Sequence, residues 1–119
     1  MTQIQVERIV GFPLEVTDGG GAWIVAGLNP DLERRLEVRA WTKSRALFTF
    51  VSANLKEVSE LVRREQEYRC LWCGQLKSLQ IDHIEMRSHG RSDRRSNLRA
   101  LCCGFDGCHE KRHLCGISK

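Results

Sequence analysis

The stretch CLWCG at residues 70–74 decides how the C-terminal half of this chain folds. Two residues separate its cysteines, a spacing that lets both sulfurs bind one tetrahedral Zn²⁺ at about 2.3 Å. Gly74 permits the tight backbone turn that such a knuckle needs. A redox role for the same pair would require a strand before the motif and a helix after it, whereas a helix is predicted before it. The motif therefore predicts a structural zinc site.

The distribution of cysteine and histidine supports a metal site. All six cysteines and all four histidines lie between residues 70 and 115. Disulfide frameworks belong to secreted chains, whereas clustered Cys and His in an intracellular protein indicate metal binding. The other half of a four-cysteine site must come from Cys102, Cys103 and Cys108, so the pair is either Cys102 with Cys108 or Cys103 with Cys108. A zinc ion bound there would contribute on the order of 10 kcal/mol to folding.

Composition and charge exclude several classes of protein. The 119 residues are 41% hydrophobic and 29% charged, as expected for one soluble globular domain or a small domain with an appendage. No apolar run approaches the roughly 20 residues of a membrane span, and the N-terminus lacks a signal pattern, so a cytoplasmic protein with no membrane partner is expected. The net charge of +4 falls in the second half, where residues 86–99 hold five arginines and one aspartate.

The first half of the sequence predicts a small antiparallel sheet. Alternating apolar residues and strand-forming residue types favour four strands, at 4–10, 22–28, 35–41 and 46–52. Turns are expected at 18–21 and 42–45, the second closing a hairpin. From an N-cap at Ser52 the apolar spacing becomes helical and runs to about Tyr68. We therefore expect a β-rich region of unknown role over 1–52, an amphipathic helix over 53–69 and a metal module over 70–119.

Four pieces of the distal sequence, CLWCG, LQIDHIEM, SNLRALC and GCHEKRH, occur in the order typical of one nuclease family. On these pieces, residues 69–113 resemble the HNH endonucleases. The resemblance implies a ββα-metal module with strands near 79–84 and 97–102 and a helix near 108–114. The fold class expected for the whole chain is α+β: a small antiparallel β region, a connecting helix, and the zinc-stabilised module.

The resemblance also implies a role for each matching residue. His83 would be the general base of phosphodiester hydrolysis, and Asn97 would hold it in position. Asp82 and His109 would hold a divalent ion such as Mg²⁺, Mn²⁺, Ni²⁺ or Zn²⁺. His113 would add a metal ligand or a phosphate contact, the alternative being a solvated surface histidine.

One spacing departs from the family pattern. Asn97 and His109 are twelve positions apart in this sequence, whereas the family usually has nine. The extra residues fall within CCGFDGC and can loop out between the cysteines. Counted from Asn97, Cys102 occupies the family's cysteine position, so the zinc ligands expected on the resemblance are Cys70, Cys73, Cys102 and Cys108.

The arginine-rich loop predicts nucleic-acid contact. Guanidinium groups suit phosphate oxygens without reading sequence, and the alternative is a solvated loop. The predicted phosphate contacts are Arg87, Arg91, Arg94, Arg95 and Arg99.

The function expected is metal-dependent hydrolysis of DNA, a lone monomer nicking one strand, in a bacterial cell or a phage-infected host. The alternatives are a non-catalytic zinc-containing module that binds nucleic acid and an accessory factor of phage assembly or packaging. The N-terminal β region could mediate a homodimer or bind a partner protein. The target sequence, the choice between DNA and RNA, and the catalytic metal stay open.

Overall fold

The computed structural model describes residues 1–74, 79–85 and 92–102, and it shows an α+β fold. A three-stranded antiparallel sheet of order β1-β2-β3 occupies the first part of the chain, and a two-stranded antiparallel hairpin, β4-β5, occupies the second. The expected fold class is confirmed. The elements are α1 (Gln3–Val10), β1 (Glu15–Asp18), β2 (Trp23–Asn29), β3 (Arg34–Ala40), α2 (Lys43–Glu65), β4 (Leu79–His83) and β5 (Leu98–Cys102).

The N-terminal sheet contains two of the predicted strands and one that the sequence did not reveal. Strands β2 and β3 lie where the alternation placed them, with Val25 opposite Val38. The additional strand, β1, pairs with β2 through the predicted turn at 18–21. In that turn the N–H of Gly19 donates to the carbonyl of Ala22, and the N–H of Gly20 donates to the Asp18 carboxylate.

The segment 4–10, predicted to be a strand, is helix α1. Thr2 and Gln5 form a reciprocal capping box at its start, and Gly11 ends it in the left-handed region at φ +82°. Val6 and Val10 are one helical turn apart and both are buried. The strand prediction was wrong because Val6 and Val10 fit a period of two as well as a period of four, and the caps decide between them.

The segment 46–52, also predicted to be a strand, belongs to helix α2. This helix begins at Lys43, where the Thr42 hydroxyl accepts the N–H of Arg45, so residues 42–45 start a helix and not a hairpin. The predicted N-cap Ser52 lies inside the helix. Burial recurs at helical spacing along one stripe, and this packing overrides the strand-forming residue types. The buried residues of the stripe are Ala46, Leu47, Phe50, Val51, Asn54, Val58, Ser59 and Val62.

Helix α2 packs against both sheets. Its first half covers the N-terminal sheet and α1, with Leu47 and Phe50 in that core. Its second half covers the β4-β5 hairpin, where Val58 and Val62 pack against Leu98 and Ala100. The hairpin is thereby fixed to the N-terminal sheet through a shared helix. No helix in the described ranges has the length and apolar character needed to cross a membrane.

The hairpin lies where the two module strands were expected. Its register pairs Asp82 with Arg99 and His83 with Leu98. Successive strand residues point to opposite faces of a sheet, so Asp82 and His83 have opposite directions. The helix predicted near 108–114 lies outside the described residues.

Candidate metal centre and active site

A tight turn connects the end of α2 to the cysteine knuckle at residues 70–74. Glu67 and Tyr68 both adopt positive φ angles, and the N–H of Tyr68 donates to the carbonyl of Arg63 at 2.8 Å. The side-chain amide of Gln66 then bonds both backbone groups of Ala100: its Nε2 donates to the carbonyl at 2.9 Å and its Oε1 accepts the N–H at 3.0 Å. The knuckle is therefore fixed against β5.

Three cysteines form a compact group of sulfurs. The ligand atoms of Cys70, Cys73 and Cys102 lie within 4.8 Å of one another, and the three are the group of metal-capable side chains found among the described residues. The Sγ atoms of Cys73 and Cys102 are 3.8 Å apart. Two thiolates on one tetrahedral zinc ion, each at about 2.3 Å from the metal, are separated by about 3.8 Å. The group therefore fits three corners of a zinc site.

The backbone of the knuckle is shaped as sequence reasoning anticipated. The N–H of Gly74 donates to the carbonyl of Cys70 at 2.9 Å, and Gly74 adopts φ +72°. The N–H of Cys73 approaches the Cys70 sulfur at 3.5 Å, a contact that stabilises a thiolate. Of the two alternatives for the second cysteine pair, Cys102 joins the group. Cys103 and Cys108 lie outside the described residues.

Asp82 is buried beside an arginine. Its Oδ2 accepts a hydrogen bond from Arg99 Nε at 2.8 Å, and both side chains are about 4% exposed. The guanidinium of Arg99 stacks on the Trp72 ring, 5.0 Å from its centroid. The charge of Asp82 is thus balanced inside the protein, and Arg99, predicted to bind phosphate, contacts a carboxylate and an indole.

His83 contacts a second buried carboxylate. Its Nε2 is 2.8 Å from Oδ1 of Asp93, whose side chain is fully buried, whereas 23% of the His83 side chain remains exposed. Sequence reasoning missed Asp93. The sequence feature that could have identified Asp93 is that it is the one acidic residue among the five arginines of residues 86–99.

Asn97 bridges the two ends of the loop between β4 and β5. Its Oδ1 accepts the N–H of Glu85 at 2.8 Å, and its Nδ2 donates to the carbonyls of Ser92 at 2.8 Å and Glu85 at 3.3 Å. Its own carbonyl accepts the N–H of Ile84 at 2.8 Å. The side chain therefore holds the residues directly after His83 against those around Asp93.

Arg94 connects this loop to the N-terminal half of the chain. Its Nε and Nη2 donate to the two oxygens of Asp31 at 2.8 and 3.2 Å, and its Nη1 donates to the carbonyl of Gly11 at 3.1 Å. The backbone N–H of Arg95 adds a bond to Asp31 at 3.0 Å. Burial alone would raise the pKa of Asp31, but the hydrogen bonds and positive charges of Arg94 and Arg95 together hold that pKa below its usual value.

Each of the three predicted phosphate contacts in the described part of the chain bonds to a carboxylate. Arg94 pairs with Asp31, Arg99 pairs with Asp82, and the Arg95 side chain pairs with Glu65 at the end of α2. The sequence-based prediction of phosphate contacts did not identify these carboxylate partners, and phosphate binding by the three arginines stays a prediction. The remaining predicted contacts, Arg87 and Arg91, lie outside the described residues.

The remaining sequence-predicted ligands of the catalytic metal, His109 and His113, lie outside the described residues, as does Cys108 of the zinc site. Within the described ranges, the structure brings His83 and Asn97 to the same loop ends and places Asp82 on the opposite face of β4.

The described residues thus combine a cysteine knuckle, an antiparallel hairpin carrying Asp-His, and an asparagine that braces its loop. Residues 68–114 match the family model described as HNH endonuclease, which confirms the resemblance that the sequence motifs carried. Residues 1–67 and 115–119 lie outside the match. Comparison with curated proteins and with solved structures gave no match. The family supports a nuclease-type function acting on nucleic acid.

Proposed function

We propose that this protein is a metal-dependent endonuclease that hydrolyses phosphodiester bonds in DNA, with His83 as general base. The observation that carries the proposal is the HNH family match across the hairpin on which His83 and Asn97 lie. A nuclease needs a base for water, a charge to neutralise the phosphate, and a means of stabilising the leaving oxygen. We assign each of these tasks to residues of the matched segment, as follows.

In this mechanism His83 removes a proton from the attacking water. The water oxygen forms a bond to phosphorus, the bond from phosphorus to the 3′ oxygen breaks, and that oxygen leaves with the electron pair. A neutral imidazole serves as base near neutral pH. The Asn97 hydrogen bonds to both loop ends support a positioning role, because they limit the movement of the residues that follow His83.

The proposed ligands of the catalytic divalent ion are Asp82, His109 and His113. Carboxylate oxygen and imidazole nitrogen suit Mg²⁺, Mn²⁺, Ni²⁺ and Zn²⁺ to different degrees. Asp82 is also held by Arg99, whose Nε donates to its Oδ2 at 2.8 Å, and this contact keeps the carboxylate at a fixed position on β4. When bound, the ion would neutralise charge on the phosphate and on the leaving oxygen.

The structural zinc site is proposed to consist of Cys70, Cys73, Cys102 and Cys108. The 3.8 Å separation between the Cys73 and Cys102 sulfurs supports the first three ligands. A fourth thiolate would close the tetrahedron. Zinc thiolates persist in reducing compartments, which supports a cytoplasmic site of action in a bacterial or phage-infected cell.

Phosphate contact is proposed for Arg87 and Arg91. The charges of Arg94, Arg95 and Arg99 are paired with carboxylates of the same chain, which weakens their attraction for a polyanion. The arginines of this loop therefore divide between holding the hairpin and contacting DNA.

The test is cleavage of supercoiled plasmid by zinc-loaded protein with added Mg²⁺, Mn²⁺ or Ni²⁺. Wild type should convert the plasmid to the nicked form, and His83→Ala should reduce the rate roughly 10²- to 10⁴-fold. Gln80→Ala is the matched control, since Gln80 is an exposed residue of the same strand. Equal rates for wild type and His83→Ala would reject the mechanism. Salt-dependent binding without cleavage by wild type would favour the zinc-containing binding module, and cleavage that requires an added phage protein would favour the packaging factor.

A further inference from the structure

The contact between His83 and Asp93 determines which ring nitrogen of the proposed base can accept a proton. Nε2 of His83 lies 2.8 Å from the Asp93 carboxylate. An ionised carboxylate only accepts hydrogen bonds, so the nitrogen facing it must carry the hydrogen. The lone pair of a neutral imidazole is then on Nδ1. The Asp93 side chain is fully buried and the histidine ring is partly exposed, so water reaches the ring but not the carboxylate.

The position of Asp93 is fixed from the N-terminal half of the chain. Its backbone N–H donates to the carbonyl of Ile9 at 2.7 Å. Ile9 belongs to the last turn of α1, whose carbonyls lack partners within the helix. The next residue, Arg94, is held by Asp31 and by the carbonyl of Gly11.

A carboxylate held in this way can orient an imidazole. A free imidazole ring rotates and exchanges between two tautomers, and half of those arrangements present an N–H to the water that must be deprotonated. A buried acceptor 2.8 Å from one nitrogen removes both freedoms, since rotation or exchange would leave the carboxylate without that hydrogen bond.

We propose that Asp93 is a positioning residue for His83: its carboxylate accepts the Nε2–H hydrogen bond and thereby presents Nδ1 as the proton acceptor. The inference rests on the proposed nuclease function and adds to it a residue from the arginine-rich loop. Asp93 acts through the histidine and touches neither substrate nor metal in this role.

The experiment measures the His83 tautomer and the nuclease rate on the same proteins. Zinc-loaded, ¹⁵N-labelled wild type without a second metal is examined at about pH 8, where histidines are ordinarily neutral. Long-range ¹H–¹⁵N correlations identify the protonated ring nitrogen, with His83→Ala assigning the signals. Asp93→Asn keeps the shape and removes the charge, and Asp93→Glu restores the carboxylate. Urea midpoints establish that each variant is folded.

In wild type we expect the Nε2–H tautomer alone. In Asp93→Asn we expect a mixture of tautomers and a kcat lowered roughly 10- to 100-fold with little change in KM for the plasmid, the loss typical of a group that orients a reacting one. Asp93→Glu should recover part of the Nε2–H tautomer population and part of the lost kcat. If wild type shows the Nδ1–H tautomer, the inference is refuted. This measurement needs no variant, so the inference can be tested even if Asp93→Asn does not fold.

Other outcomes separate this inference from the proposed function. If His83→Ala abolishes nicking and Asp93→Asn leaves both kcat and the tautomer unchanged, the positioning role is refuted and the nuclease stands. A kcat loss in Asp93→Asn with an unchanged tautomer also refutes it. If wild type and His83→Ala cut equally, the proposed function fails, and with it the role of Asp93 in catalysis.

Discussion

The bond between Asp31 and Arg94 should make a measurable contribution to stability, although both residues are near the surface. The change that tests it is Asp31→Asn. Asp31 accepts hydrogen bonds from Arg94 Nε at 2.8 Å, Arg94 Nη2 at 3.2 Å and the Arg95 N–H at 3.0 Å. An asparagine keeps one acceptor oxygen and loses the charge, so the guanidinium loses the bidentate partner.

The exposure of the Asp31 and Arg94 side chains determines how much their bond contributes to the free energy of unfolding. A hydrogen bond to a charged group contributes about 1.5–3 kcal/mol when buried, whereas an exposed ion pair contributes about 0–1 kcal/mol. The side chains of Asp31 and Arg94 are 17% and 34% exposed, between those cases. After discounting for solvent screening, we expect Asp31→Asn to lower the free energy of unfolding at pH 7 by about 1–2 kcal/mol.

The pH dependence supplies a second measurement. The pKa of Asp31 is lowered in the folded protein, because the bonds and charges of Arg94 and Arg95 outweigh the effect of burial. A carboxyl group with a lowered pKa stabilises the fold above its unfolded pKa of about 3.9, and this stabilisation is lost as the pH falls through the folded value. The difference between wild type and Asp31→Asn should therefore be complete at neutral pH and shrink below about pH 4.

The assay is urea unfolding followed by tryptophan fluorescence, with zinc held constant. Glu57→Gln is the matched control, since Glu57 pairs with Arg34 at 2.5 Å where the two side chains are 35% and 53% exposed. It should change stability by less than about 0.5–1 kcal/mol. The reasoning is refuted if Asp31→Asn costs no more than Glu57→Gln, or if its cost at pH 7 persists unchanged at low pH.

Three further predictions follow from the hairpin and the knuckle. Cys102→Ser should lower the zinc content per chain measured by atomic emission while Cys115→Ser keeps it, because the Cys102 sulfur lies in the cysteine group; equal zinc in both variants would contradict this. Gly74→Ala should cost about 1–2 kcal/mol in urea unfolding, because φ is +72° and an added Cβ meets no atom within 4 Å, so backbone strain is the whole effect; an unchanged midpoint would show that the turn is not strained. Leu98→Ala should cost about 2–5 kcal/mol, because Leu98 is buried against α2, and a cost under 1 kcal/mol would mean that the hairpin does not depend on that helix.

The cysteine knuckle and the β4-β5 hairpin were predictable from the sequence because the information that specifies them is local. The spacing of Cys70 and Cys73 and the glycine after them specify a knuckle through bond lengths and backbone angles alone. The approach of Cys102 follows from the hairpin, since it is the register partner of Leu79. The wider spacing before Cys108 left the choice between Cys102 and Cys103 open by spacing alone; the resemblance favoured Cys102, and the structure brings Cys102 to the group.

The N-terminal half was harder to predict because its residue types are ambiguous. Phe48, Phe50 and Val51 favour strands by propensity, yet they lie on a helix that Thr42 caps. The buried face of this helix, which includes Phe50 and Val51, packs on a sheet. The conformation of such a segment is determined by the packing of its amphipathic face, which outweighs the weak intrinsic preference of its residues for a strand. The sequence contained the correct period, since Leu47, Phe50, Asn54 and Val58 recur at helical spacing.

The ion pairs of the arginine-rich loop could not be predicted from the sequence for a different reason. Counting charges does not show which carboxylate each arginine contacts. Arg94 and Asp31 are 63 positions apart, and nothing in the local sequence connects them. The same contact gives the N-terminal half a place in the proposed active site, even though the family match excludes it. The carbonyl of Ile9 and the carboxylate of Asp31 hold the loop segment that carries Asp93, and Asp93 in turn contacts His83. Because a base must be held within a fraction of an ångström of its working geometry, elements with no catalytic group of their own can limit the rate. In the described residues, the first half of the chain thus contacts the segment at Asp93 and Arg94 that lies beside His83.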